Sequence, residues 1–166
     1  MTVNGRILFL DTETTGLDSA RHRIVEIAIV DEDGRVLIDT LVNPGRAIPE
    51  DARRIHGISD QMVRSAPTLA SLWPTIQVIL SGSHVVICNA AYDRAFLPRR
   101  LADAARVSCV MLMFAKAYSR GGGTWQKLDV AARHCGHTWQ GAAHRALADA
   151  QACRSVWRWL VARGHG

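Results

Sequence analysis

An apolar stretch, Ile7-Leu8-Phe9-Leu10, runs without a break into Asp11-Thr12-Glu13, and no other feature of this 166-residue chain restricts its fold as tightly. Four consecutive apolar residues ahead of a change in polarity read as a buried strand. Residues two apart on a strand project from one face, so Asp11 and Glu13 are neighbours roughly 7 Å apart at the backbone. Burying such a pair is costly unless the charges are paired or share a hard cation. With 11 aspartates in the chain, one acidic pair at this spacing also arises by chance, so the pair alone does not assign a function.

Residues 24–30 and 36–42 read as two further strands joined by a hairpin turn at Glu32-Asp33-Gly34-Arg35, which makes the first three strands an antiparallel meander. Asn43-Pro44-Gly45 closes it, and residues 49–55 read as a short helix ended by Gly57. Thr68 caps a helix carrying Leu69, Leu72, Trp73, Ile76, Ile79 and Leu80, and residues 85–88 supply a fourth strand. Residues 92–101 are expected to be helical, 107–111 a fifth strand and 112–118 a short helix. Gly121-Gly122-Gly123 reads as a flexible break, Thr124 as the cap of a helix ending at His134, and residues 146–161 as a long last helix. This order describes an α/β fold, a mixed sheet with helices on both faces, in one domain over residues 1–166 with a core of about 6–162.

Apolar residues make up 48% of the chain, but no window holds the 18 or more continuous apolar residues of a membrane span. The first residues lack the basic, apolar and small-residue zones of a secretory leader, so a soluble cytoplasmic protein is expected. Cys88, Cys109, Cys135 and Cys153 lack paired spacing and read as reduced, mostly buried thiols. His134-Cys135-Gly136-His137 lacks the second ligand pair of a closed zinc site. The formal charge is +5, and 18 of the 20 basic residues are arginine, which suits phosphate contacts and favours a polyanionic partner.

Asp93 follows the fourth strand at a strand-to-helix junction, where polar side chains gather above a sheet edge. The same place suits an aspartate favoured by a helix macrodipole. On the last helix, Ala146, Ala150, Cys153, Trp157 and Leu160 recur at spacings of four and three and form the core-facing stripe. Asp149 heads the adjoining row and points inward, an unusual position for an unpaired carboxylate. His144, roughly 140° around the helix from Asp149 if both were helical, is better placed on the preceding loop, near the carboxylates and facing solvent.

Asp11-Thr12-Glu13-Thr14-Thr15-Gly16-Leu17, Ile55-His56-Gly57-Ile58, Asn89-Ala90-Ala91-Tyr92-Asp93 and His144-Arg145-Ala146-Leu147-Ala148-Asp149 resemble, in this order, the motifs of the DEDDh 3′-to-5′ exonucleases. That family includes the epsilon subunit of DNA polymerase III and exonuclease X. The resemblance covers residues 7–160; each motif is weak alone and the ordered set is specific. It implies a ribonuclease-H-like fold, with a five-stranded mixed sheet made of the meander and two parallel strands. It further implies metal-dependent hydrolysis at the free 3′ end of a nucleic acid, with single-stranded DNA favoured and RNA the alternative.

Carried over residue by residue, Asp11, Glu13 and Asp149 hold one divalent cation, Asp11 bridges to a second, and Asp93 completes the acidic site. An oxygen-only donor set suits Mg2+ or Mn2+. His144 takes the role of general base. Thr14 lies near the terminal 3′-hydroxyl, Leu17 and Ile55 pack on the terminal base, and His56 and Asn89 lie close to the last nucleotides. Tyr92 stands where the family often has phenylalanine and keeps an aromatic surface. Without the resemblance, Leu17 and Ile55 read equally well as loop packing, and Trp125 and Trp139 as either stacking platforms or core anchors.

Ser108-Cys109-Val110-Met111-Leu112 lacks the aspartate that polymerase-associated relatives often carry there and looks closer to the exonuclease X type. With few residues after the last helix, the chain reads as a free-standing nuclease; a homodimer and association with a polymerase stay open. Two other classes of reading are a nucleic-acid-binding or polymerase-accessory module that has lost catalysis and a small-molecule phosphodiesterase. The presence of all five active-site residues speaks against the first.

Overall fold

The computed structural model of the chain describes residues 5–97, 101–118, 125–142 and 144–166. Strand β1 (Ile7–Thr14) occupies the middle of a five-stranded sheet of order β3-β2-β1-β4-β5. It pairs antiparallel with β2 (Ile24–Asp31), which pairs antiparallel with β3 (Val36–Leu41). On its other side β1 runs parallel to β4 (His84–Ile87), and β4 parallel to β5 (Arg106–Cys109). The expected meander and parallel pair are both present.

Alternation along β1 divides the core. Leu8 and Leu10 pack with Ile27, Ile29, Val85 and Ile87 under helix α3 (Leu69–Leu80), through Ile76 and Leu80. Phe9 faces the opposite way, with Val30 and Val86, toward helices α5 (Val110–Tyr118), α6 (Leu128–His134) and α7 (Ala146–Val161). Each fully buried aliphatic or aromatic side chain contributes about 1.5–3 kcal/mol, and β1 supplies such residues to both faces, as a central strand must. A smaller cluster of Val25, Ile48, Ala52, Ile58 and Val63 holds α1 (Glu50–His56) and α2 (Asp60–Val63) beside the sheet. Helix α1 ends at Gly57, whose φ of 72° is the left-handed conformation that stops a helix without steric cost.

Several element bounds differ from the sequence reading. Helix α4 spans Ala90–Phe96, because Pro98 disfavours a helical conformation at Leu97, where φ is −125° and ψ 34°. Strand β5 stops at Cys109, and helix α5 (Val110–Tyr118) takes Val110 and Met111 into the core cluster under α7. A short apolar run satisfies either period, and here burial against a helix decides it. The single-turn α2, with Ser59 accepting from the Met62 N–H, was not foreseen. Helix α6 (Leu128–His134) begins with Lys127 at its N-cap position; the Thr124 cap and the Gly121-Gly122-Gly123 break lie outside the described residues.

Helix α7 (Ala146–Val161) has the expected bounds and lies across β1, β2 and β4. Its buried first two turns carry Ala146, Ala148, Ala150 and Ala152. Side chains this small let the helix approach the sheet closely, so the short side chain of Asp149 reaches β1. Enlarging Ala150 would force the helix outward, at about 1–3 kcal/mol for an overpacked core. No helix among the described residues is long and apolar enough to cross a membrane.

Candidate active site

At the C-terminal end of β1, Asp11 and Glu13 lie on the face that α7 covers, and Asp149 comes down from that helix. Each of the three offers one carboxylate oxygen, and these oxygens lie within 4.8 Å of one another. No other such metal-ligand group is found among the described residues. Asp149 Oδ1 is buried and has no hydrogen-bond partner. A buried carboxylate oxygen left bare beside two more carboxylates is costly, and a hard divalent cation is the group that satisfies it. The donor set thus fits such a cation.

Asp93, buried on α4, stands apart from this trio. Its Oδ1 accepts from the Thr12 hydroxyl at 2.7 Å, so β1 fixes the aspartate from the opposite side of its pleat. Burial pushes all four carboxyls upward. Glu13 rises to about 8, with Asp149, Glu26 and Asp93 adding repulsion and Arg145 opposing it. Asp93 rises to about 7 by burial, against the Thr12 hydrogen bond. Asp149 rises to about 6 by burial, opposed by the nearby His144 and a hydrogen bond from its backbone. Asp11 is raised well above the usual range by burial and by Asp93, Asp149 and Glu13 together. Four acids shifted the same way, by burial and mutual charge, mark a functional cluster rather than an ion-pair network.

The carboxylates open into a cavity of about 500 Å³ that includes Asn89, Tyr92, Trp125, Lys127, Trp139 and His144 on its walls. His144 is exposed and lies at φ 61°, the one non-glycine residue with positive φ among those described. Trp125 is 49% exposed on the cavity wall, whereas Trp139 packs against the core and meets the His137 ring edge-on at 5.1 Å. Cys88 also lines the wall, and burial pushes its thiol well up, away from reactivity.

A second cleft of about 640 Å³ adjoins the first and shares Glu13, Asn89 and Tyr92 with it. Its rim carries Leu17, 84% exposed, and Ile55, 59% exposed, while Thr14 and His56 are buried at its floor. Two large apolar side chains held in water over a cleft offer a surface to an apolar ligand face. His56 Nδ1 accepts from the Ile58 N–H at 3.0 Å, which leaves the ring proton on Nε2, and burial lowers the pKa of the ring. The Thr14 hydroxyl donates to the Gly16 carbonyl at 2.8 Å and sits against the Tyr92 hydroxyl, which also reaches that carbonyl at 3.3 Å. Tyr92 therefore does more than preserve an aromatic surface: it ties α4 to the loop leaving β1. At Gly16, a Cβ would come within 2.5 Å of the His22 ring, so a larger residue there would have to displace that side chain.

Glu26 and Arg145 flank the acidic trio; Glu26 belongs to no motif, and Arg145, although inside the motif of residues 144–149, is given no role by it. Glu26 is 2% exposed, directly opposite Glu13 in the β1–β2 register, and both its oxygens bond to Arg145. The signal available in the sequence was the carboxylate of Glu26 in the apolar run of residues 24–30, which demands a buried partner.

Comparison with known proteins identifies the family and the fold. Residues 8–156 match the RNase T family model, described as exonuclease. An uncharacterised exonuclease of Escherichia phage 186 is 37% identical over 158 residues, covering 86% of this chain and 81% of that protein. The DNA polymerase III epsilon subunit of Rickettsia felis is 37% identical over 117 residues, covering 68% of this chain and 51% of that one. The chain thus spans about half the length of that epsilon subunit. Exonuclease X, solved with a 5′ overhanging duplex DNA, superposes with a TM-score of 0.74 at 28% identity, covering 95% of this chain and 93% of that one. Exonuclease I of E. coli, solved with a dA16 oligonucleotide, shares the fold, at TM-score 0.80 and 16% identity over 96% of this chain and 41% of its own. With the fold ribonuclease-H-like and the motifs in place, the chain belongs to the RNase T family of exonucleases, as a 3′-to-5′ exonuclease of the DEDDh type.

Proposed function

We propose that the chain hydrolyses the terminal phosphodiester of DNA at a free 3′ end, releasing nucleoside 5′-monophosphates, with two divalent cations and His144 as general base. The bare, buried Oδ1 of Asp149 beside Asp11 and Glu13 is the observation that carries this reading. Asp11, Glu13 and Asp149 would hold one cation, Asp11 would bridge to the second, and Asp93, steadied by Thr12, would complete the anionic wall directly or through water. When bound, Mg2+ or Mn2+ supplies Lewis acidity and offsets the charge that develops on the attacking and leaving oxygens.

The chain's own groups do the rest. His144, exposed at the cavity rim, takes the proton from the attacking water, the part an imidazole plays as a general base. Leu17 and Ile55 cover the faces of the terminal base, which an apolar contact accepts whatever the base is. Thr14 lies by the 3′-hydroxyl, and His56, Asn89 and Tyr92 line the path of the last nucleotides. DNA is favoured because exonuclease X and exonuclease I were both solved with DNA. The epsilon relatives belong to a DNA polymerase, which makes polymerase association an arrangement to test, alongside a homodimer of this chain, for which none of these relatives argues. A cytoplasmic setting suits the four free thiols.

The test is a 5′-labelled single-stranded DNA and an RNA of matched sequence, each with Mg2+, Mn2+ or chelator, and with a blocked 3′ end as control. A metal-dependent ladder that shortens from the 3′ end, stops at the block and runs faster on DNA is the expected result. A faster RNA ladder would reassign the substrate; end binding without turnover would leave only a binding module.

A further inference from the structure

We propose that Glu26 and Arg145 form a clamp that sets the position of His144, making both of them positioning residues for the reaction. This rests on the reading of His144 as the base. Arg145 Nε and Nη2 donate to Glu26 Oε1 at 3.0 and 2.5 Å, and Nε also lies 3.1 Å from Oε2. Glu26 Oε2 accepts from the Ala146 backbone N–H at 2.8 Å. Helix α7 has no side-chain cap of its own, since Arg145 occupies the N-cap position. A carboxylate from β2 therefore does the capping, and it meets the helix N-terminus with the sign the macrodipole favours.

The consequence falls on the preceding residue. His144 lies in the left-handed region at φ 61°, a conformation that a non-glycine residue keeps only where its surroundings over-determine it. On its C-terminal side, the Arg145 fork and the Ala146 N–H are fastened to the floor of the sheet. Its own backbone faces Asp149, one of the three converging acids, closely enough to favour that carboxylate's ionised form. The imidazole is thus placed over the carboxylate cavity through its main chain, from two fixed points on β2 and α7. Arg145, bonded to Glu26, also lowers the pKa of Glu13, which lies directly opposite Glu26 on the β1–β2 ladder, where two like charges are destabilising. Lysine would supply the charge but not the planar fork.

Single-turnover and steady-state rates of Arg145→Lys, His144→Ala and the double variant test the clamp as a cycle. In the native background Arg145→Lys should lower kcat about tenfold or more, with KM for the strand and the Mn2+ requirement within about threefold, because misplacement costs chemistry rather than binding. In the His144→Ala background the same change should cost less than about twofold, since the group being positioned is already gone. Equal losses in both backgrounds, or no loss in the native one, would overturn the clamp while His144→Ala still falls by about 100-fold. A His144→Ala protein at full rate would instead sink the histidine reading itself, and the clamp with it. Glu26→Gln, which keeps the shape and one acceptor oxygen, gives a second cycle with the same expected pattern should the lysine variant fail to fold.

Discussion

Glu13 and Glu26 stand opposite each other on neighbouring strands, yet one is saturated with donors and the other sits among acids. Both oxygens of Glu26 are bonded, to the Arg145 fork and to the Ala146 N–H. Glu13 faces Asp11 and Asp149, and burial in that company raises its pKa to about 8. The contrast separates two uses of a buried carboxylate. A full set of donors makes an acid part of the frame, whereas acids left to one another need a cation.

The largest effect should follow from thinning the unsaturated group. Asp11→Asn is expected to lose at least about 1,000-fold in turnover, roughly 4 kcal/mol of barrier at 1.36 kcal/mol per tenfold. Because the change relieves repulsion, the variant's melting midpoint in chelator at pH 8 should be no lower than that of the native chain. Turnover within tenfold of native would remove the cluster from the chemistry.

A smaller effect is expected from pH. The folded pKa values lie above the ordinary carboxylate range, so between about pH 4 and pH 8 the native state holds more protons than the unfolded chain. Without metal, stability should be full near pH 4 and decline as pH rises through about 6, 7 and 8, where Asp149, Asp93 and Glu13 titrate. Saturating Mn2+ should remove the decline, because it binds the ionised forms. Buried His56, its pKa lowered, acts in the opposite sense as pH falls below its ordinary 6.5, so the difference between chelator and Mn2+ melting curves is the diagnostic. Parallel curves would show that the acids are not held apart by their environment. The smallest effect belongs to the base cleft: Leu17→Ala should raise KM by about threefold to tenfold and leave kcat within twofold, as lost apolar contact does.

Much of this was legible in the sequence wherever a period or a motif carried it. The meander, the Thr68 cap and α7 with its inward Asp149 follow from alternation, capping chemistry and the four-and-three stripe. Asp11, Glu13 and Asp149 converge as the motif order implied, whereas Asp93 is held to one side by Thr12. The ends of α4 and β5 were misread because Leu97 precedes a proline and because Val110 and Met111 suit strand and helix equally. Glu26 was legible only as a carboxylate in need of a partner: that partner, Arg145, lies 119 residues away along the chain, and no local window joins them.

The wall that Glu13, Asn89 and Tyr92 share between the two clefts carries a last consequence. Braced by the Tyr92, Thr14 and Gly16 contacts, it would act as a ruler. On the proposed seating, the span from a base lodged under Leu17 and Ile55 to the acids is set by β1 and α4, not by the base. Each cut would then advance the strand by one backbone unit, the same step for a purine as for a pyrimidine.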